Sequence, residues 1–194
     1  MEKRNYRTLV LLLFMLIIIA IRVVAPLSPD FKVIANFSGI GALAIFGGAY
    51  FKNYVSAFVL PILILFLSDL GLASTMGKDY VFYEGWFYTY IAFALMVLAG
   101  KLMINKPSVQ HVIGASLVGV FIHWIVSDFG LWIGTSFYPH TLAGFWTCLV
   151  AAIPFELKFL YGTLAYSAIM FAAFEGLKVK FPFLQLTRET KIHS

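Results

Sequence analysis

Apolar residues fill this chain in long runs, 9–25, 37–51, 55–70, 86–102, 111–133 and 159–177, with a shorter one at 141–153. Polar positions gather in the breaks between them. A helix needs roughly 20 apolar residues to cross a bilayer core of about 30 Å, and with its turn each pass uses about 30. The pattern therefore predicts an all-α integral membrane protein, a single domain over 1–194 with six transmembrane helices. The 141–153 run covers only about 20 Å and is set apart by Pro154, Glu156 and Lys158, which predicts a partly inserted or interfacial helix. Counting it as a seventh span would put the C-terminus outside.

The breaks carry further information. The first run follows Lys3, Arg4 and Arg7 as a secretory signal would, but it contains Arg22 and ends in Ala25-Pro26 without an A-x-A site, so it is read as a retained helix. The second run is rich in small residues (Ser38, Gly39, Gly41, Ala42, Ala44, Gly47, Gly48), which lets neighbouring helices approach and predicts burial inside the bundle. Only Lys52-Asn53-Tyr54 separate it from the third run, so those two helices are antiparallel neighbours, and Pro61 is a candidate kink. Asn36 and Ser38 are natural N-cap residues for the second helix, whose open N-terminus could also meet an anionic group. A loop over 71–84 follows the third run.

Composition removes whole classes of function. Of 194 residues 61% are hydrophobic and only 12% charged, and the mean hydropathy is +0.91, so no soluble catalytic or nucleotide-binding domain fits. The net charge of +5 could suggest nucleic acid, but the basic residues are scattered among helix ends and form no stripe. They read better as a topology signal. With the N-terminus in the cytoplasm and six spans, the inner side holds Lys3, Arg4, Arg7, Lys52, Lys101, Lys106, Lys178, Lys180, Arg188 and Lys191. The outer side keeps Arg22, Lys32, Lys78 and Lys158. This positive-inside bias predicts a bacterial inner-membrane protein with both termini cytoplasmic and a mobile tail over 184–194.

In that topology all four tryptophans, Trp86, Trp124, Trp132 and Trp146, fall toward the outer face. Tyr80, Phe82, Tyr83, Phe87, Tyr88, Tyr90, Phe137, Tyr138 and His140 join them. An aromatic belt would mark both interfaces, so a one-sided cluster favours a ligand-binding cup, with a belt plus ordinary loop packing as the alternative. Two acids sharpen the picture. Ser68-Asp69-Leu70-Gly71-Leu72 and Ser127-Asp128-Phe129-Gly130-Leu131 repeat one pattern 59 residues apart. The glycines suit helix C-termini, whereas a carboxylate there meets the negative end of the helix dipole. Compensation is expected from a basic partner among Arg22, Lys32, Lys78 and Lys158, or from a ligand with hydrogen-bond donors. Trp124, Asp128 and Trp132 share a helical face, with His123 and Ser127 on the adjacent one.

The candidate ligand-binding residues are thus Asn36, Asp69, Tyr83, Trp86, His123, Trp124, Asp128, Trp132, His140 and Trp146. His123 is equally readable as a histidine hydrogen-bonded inside the bundle. Cys148, the lone cysteine, reads as a small hydrophobe, and the histidines have no metal-site spacing, so neither metal nor cofactor is expected. Ala115 with Gly119, and Ala168, Ala172 and Gly176, are spaced for close helix packing or for docking another membrane protein.

At Asn36-Phe37-Ser38-Gly39-Ile40-Gly41-Ala42-Leu43-Ala44, and from Ser127-Asp128-Phe129-Gly130-Leu131-Trp132 through Tyr138-Pro139-His140-Thr141-Leu142-Ala143-Gly144 to Ala151-Ala152-Ile153-Pro154-Phe155, the chain resembles an uncharacterised bacterial family of membrane transport proteins. That family in turn resembles the S components of energy-coupling-factor vitamin transporters. The resemblance covers roughly residues 35 to 175. It implies six helices, a vitamin (cobalamin or another) held near the outer face under loops one, three and five, and an energising membrane partner. The first helix, with Leu-Leu-Leu-Phe-Met-Leu-Ile-Ile-Ile-Ala over 11–20, lacks the A-x-x-x-A docking motif such proteins commonly carry. The expected function is substrate binding for uptake of a vitamin-like small molecule, with no enzymatic activity. A scaffold subunit of a larger membrane complex is the main alternative, and an intramembrane enzyme is a weaker one, since no G-x-S-x-G or H-E-x-x-H motif is present.

Overall fold

The computed structural model describes residues 6–27 and 37–185; Asn36, Lys32 and most of the 184–194 tail lie outside them. Among the described residues every regular element is helical. They are α1 (Tyr6–Val24), α2 (Ile40–Tyr50), α3 (Tyr54–Met76), α4 (Trp86–Met103), α5 (Val109–Gly134) and α6 (Leu142–Lys180), with short helical turns at Ala25–Leu27, Lys78–Val81 and Pro182–Leu184. All but α2 are long and apolar enough to cross a membrane.

The small residues of α2 do what the sequence suggests. Nine of its eleven residues are buried, and it packs against each of the other five helices, which surround it in the order α1, α3, α4, α5, α6. Contact with α4 is backbone on backbone. A Cβ on Gly48 would strike the Val97 carbonyl and one on Gly100 the Ile45 carbonyl, so a side chain at either position would force the pair apart. Around this axis the core is aromatic: Phe46 packs on Phe14, Phe171 and Phe174, and Tyr50 on Phe174 at 4.5 Å between ring centroids.

Three sequence expectations are corrected. The loop expected at 71–84 begins later, because α3 continues through Gly71 to Met76. Gly71 does not turn the chain; it lets α3 pass close to Val23 of α1. Ser74 Oγ donates to the Gly71 carbonyl at 2.7 Å and Thr75 Oγ1 to that of Leu72 at 3.1 Å, and the helix ends at Gly77, whose φ of +93° few other residues adopt. In the same way α5 runs past Gly130 to Gly134. Asp69 and Asp128 are therefore not helix C-terminal residues, and the dipole penalty argued for them does not apply.

Second, 141–153 is no separate interfacial helix. It is the first third of α6, which continues through Pro154 for 39 residues, about 58 Å. Thr141 caps it by accepting from Gly144 N–H at 3.1 Å. A proline inside a helix removes one hydrogen bond, a loss that packing along a neighbouring helix offsets, and here α6 lies against α5 from the Trp132–Phe145 ring contact to the His123–Phe159 one. Third, Gly39 holds the N-cap position of α2, with Ser38 Oγ reaching the Ile40 N–H at 3.4 Å.

The shortness of α2 shapes the interior. At about 16 Å it covers half a bilayer core. Its first turn, at Gly41, meets Met96, Phe159 and Thr163, all well inside α4 and α6, while its last residues meet Lys101 and Glu175. Arg7, Lys101, Lys106, Lys178 and Lys180 lie at that far end, the basic end. The other half of the bundle is built from α1 beyond Ile18, the second half of α3, the first turns of α4, the second half of α5 and the first half of α6, among which α2 does not extend. All four tryptophans belong to that half.

Candidate functional site

The tryptophan end contains two buried aspartates with opposite surroundings. Asp69 is 6% exposed and fully partnered. Arg22 Nη1 donates to its Oδ1 at 2.6 Å, and the same nitrogen donates to Ser68 Oγ; Tyr90 Oη donates to Oδ2 at 2.5 Å. Ser68 Oγ in turn donates to the Leu65 carbonyl at 2.8 Å. Of the four basic residues considered for this role, Arg22 fills it. Its position in the last turn of α1, within reach of the second half of α3, makes the pair a tie between those helices. Beside it lies a cavity of about 250 Å³ lined by Ile18, Arg22, Ser38, Gly39, Leu72 and Tyr166, which opens onto the start of α2.

Asp128 is 7% exposed and its Oδ2 has no partner among the described residues. Its backbone carbonyl accepts a hydrogen bond from Cys148 Sγ at 3.7 Å, which places Cys148 as a packing residue between α5 and α6. Two titratable groups act on the carboxylate electrostatically, Glu156 and His123. These are themselves a pair: His123 Nδ1 lies 3.1 Å from one Glu156 oxygen and 3.3 Å from the other. The His123 ring rests on Phe159 at 4.5 Å and on Phe93 at 5.2 Å. Glu156 was passed over in the sequence as part of a break near Pro154. A lone carboxylate in a run that proves helical and membrane-compatible was the signal for it.

The aromatic residues divide into two groups. On the α3–α4 side Trp86 stands edge-on to Phe82 and Tyr90, at 5.4 and 5.2 Å, next to Asp69. On the α5–α6 side Phe129, Trp132 and Phe145 pack together, and Tyr88 of α4 closes the set against Phe129. Both indoles of α5 are hydrogen-bonded to the backbone of the chain that follows: Trp124 Nε1 donates to the Leu149 carbonyl at 3.0 Å and Trp132 Nε1 to that of Pro139 at 2.9 Å. They hold α6 and its preceding loop against α5 as well as offering ring area.

Tyr83 links the two sides. Its hydroxyl shares a hydrogen bond with Thr89 Oγ1 at 2.8 Å, and it senses both aspartates. Burial pushes its phenol above the ordinary value, the Thr89 bond opposes that, and the fields of Asp128 and Asp69 add to it. The structure thus brings Trp86 and Tyr90 to Asp69 and sets His123 and Glu156 by Asp128, with the partly exposed Tyr83 in the field of both aspartates, whereas Trp132 packs on Phe129 and Phe145 and Trp124 lines a groove between α5 and α6 with Phe121 and Leu157. His140 stays exposed, with Nε2 3.0 Å from the Thr135 carbonyl and its ring edge on Trp132. Trp146 is 66% exposed on the outer surface of α6 and lies away from this group. Among the described residues no cluster of three or more His, Cys, Asp or Glu side chains is arranged to hold a metal ion.

The basic end, which the sequence did not single out as a site, is laced by polar contacts. Arg7 donates to the carbonyls of Leu184 and Tyr50 at 2.5 and 2.9 Å, Tyr50 Oη to Glu175 at 2.5 Å, and Lys178 Nζ to Glu175 at 2.8 Å. Lys101 Nζ donates to the Phe51 carbonyl at 2.5 Å.

Apolar helices wrapped round a short central one, with ionisable groups turned inward at one end, define an all-helical bundle of membrane-protein type. Residues 2–184 match a family of unknown function, DUF6580, and the chain belongs to that family. Neither a curated protein nor a solved structure matches it.

Proposed function

We propose that this protein is a membrane-embedded binding component for uptake of a vitamin-like small molecule, held in the tryptophan half of the bundle at the outer face. The observation that carries this reading is the length of α2. By stopping half-way it leaves the other half of the interior to polar and aromatic side chains from five helices, and it turns its N-terminus toward them. A discontinuous helix ending inside a membrane bundle is a recurring way to build a small-molecule site there. The basic end, tied together by the Arg7, Tyr50 and Glu175 contacts, faces the cytoplasm in this reading, as the positive-inside bias requires. This agrees with the resemblance to S components, whose ligand also sits near the outer face.

A second reading, an accessory subunit of a larger membrane complex, is favoured by an apolar groove between α5 and α6 at the basic end, with a volume of about 570 Å³ and with Val112, Ile113, Ala168 and Ala172 among its walls. Native mass spectrometry of the purified protein separates the two. A co-purifying small molecule, released when the protein is denatured, is the result expected for a binding component. Bare protein, or a stoichiometric second polypeptide without a small molecule, contradicts it.

A further inference from the structure

Among the described residues the charges facing the tryptophan half do not balance, and the imbalance points to a ligand chemistry. Arg22 is matched by Asp69, and His123 lies against Glu156. Lys158 is exposed on α6 and stands 5.9 Å from the Phe155 ring, outside the interior, and Lys78 is exposed as well. Among the described residues Asp128 is left over. More than nine-tenths of the residue is buried, its Oδ2 has no hydrogen-bond partner among the described residues, and the Glu156 carboxylate repels it. A buried carboxylate without a donor is costly in any interior and more so at membrane depth, where water cannot supply the missing bonds. Along α5, Trp124 and Trp132 lie one turn away on either side of it, and Tyr83 is within electrostatic reach. A carboxylate flanked by aromatic residues suits a cation with N–H donors on an apolar body.

We propose that Asp128, supported by Glu156, binds an ammonium group, and that the natural ligand is a small organic amine or other nitrogen cation with an aromatic or apolar portion. This rests on the reading of the tryptophan half as a binding site and adds the sign of its ligand's charge. Asp69 plays no such part, because its two oxygens are already occupied by Arg22 and Tyr90.

The test uses three probes of one shape and different charge: phenethylammonium, 3-phenylpropionate and neutral 2-phenylethanol. They are titrated at pH 7 into the full-length protein in dodecyl maltoside micelles, which carry neither charge nor amine, with tryptophan fluorescence and thermal unfolding as readouts. Phenethylammonium should show a saturable response at a midpoint at least tenfold below those of the other two. In Asp128→Asn that preference should shrink to within about twofold, and Glu156→Gln should reduce it by a smaller factor. Should Asp128→Asn fail to fold, the ranking of the three probes on the wild-type protein still decides. Equal midpoints, a preference for the anion, or no saturable response to phenethylammonium overturns the proposal. Co-purification of a neutral or anionic molecule also overturns it while leaving the uptake reading intact, whereas failure to find any bound molecule contradicts that reading itself.

Discussion

Two five-residue segments with nearly the same sequence, Ser68-Asp69-Leu70-Gly71-Leu72 in α3 and Ser127-Asp128-Phe129-Gly130-Leu131 in α5, end up in contrasting electrostatic states. Each puts its aspartate inward and its glycine against another helix. Around Asp69 the neighbouring chains supply Arg22 and a tyrosine hydroxyl. Around Asp128 they supply another acid, a histidine committed to that acid, and rings. A short motif therefore fixes where a carboxylate points, while the elements packed against it decide whether the carboxylate holds the fold together or remains free for a ligand. This difference between a satisfied and an unsatisfied acid is what the following substitutions address.

The largest effect on stability is expected at Arg22. Replacing it with alanine leaves Asp69 buried without its cation, which should cost about 3 kcal/mol and appear as a marked drop in the thermal unfolding midpoint. The double change Arg22→Met with Asp69→Leu, which removes both charges, should recover most of that loss. No recovery would mean that the pair does more than neutralise itself.

Next come the glycines of the two segments. A Cβ at Gly130 would lie 2.5 Å from Tyr88 Cβ, so Gly130→Ala should destabilise by about 1–3 kcal/mol by wedging α5 from α4. At Gly71 the nearest atom is a Val23 methyl carbon at 3.3 Å, so Gly71→Ala should cost much less. Paired unfolding curves check this, and equal losses would contradict the packing described.

A smaller change is expected from Trp132→Phe, which keeps ring area but removes the N–H donated to Pro139. About 1 kcal/mol of stability should be lost, with increased protease sensitivity over 135–141. The smallest is Asp128→Asn, within about 0.5 kcal/mol of the wild type or stabilising, because an unpartnered buried charge is exchanged for a neutral amide.

Much of this architecture was legible in the residues themselves. The buried position of α2 followed from Gly41, Ala42, Gly47 and Gly48, and the closeness of α2 and α3 from a link of three residues. Helix ends were harder to place. Gly71 and Gly130 look like C-cap glycines, yet both serve close approach between helices, and the glycine that ends α3 is Gly77, six residues past Gly71. Pro154 looks like a boundary for a similar reason: a local rule points to a break that packing along α5 overrides. Of the candidate site, Asp69 and its basic partner could be named as a set of alternatives from charge alone. The freedom of Asp128 could not, since it depends on which side chains α4 and α6 present to it, and that is set by helix rotation and not by spacing.

The central claim is that the two aspartates have exchanged no roles: Asp69 is structural and Asp128 binds. Unfolding midpoint and bound-molecule occupancy, measured by native mass spectrometry on the same preparations of Asp69→Asn and Asp128→Asn, test it most directly. The prediction is a lowered midpoint with retained occupancy in folded Asp69→Asn, and an unchanged or raised midpoint with occupancy reduced at least tenfold in Asp128→Asn. Equal occupancy in the two variants, or a loss of stability confined to Asp128→Asn, contradicts the account.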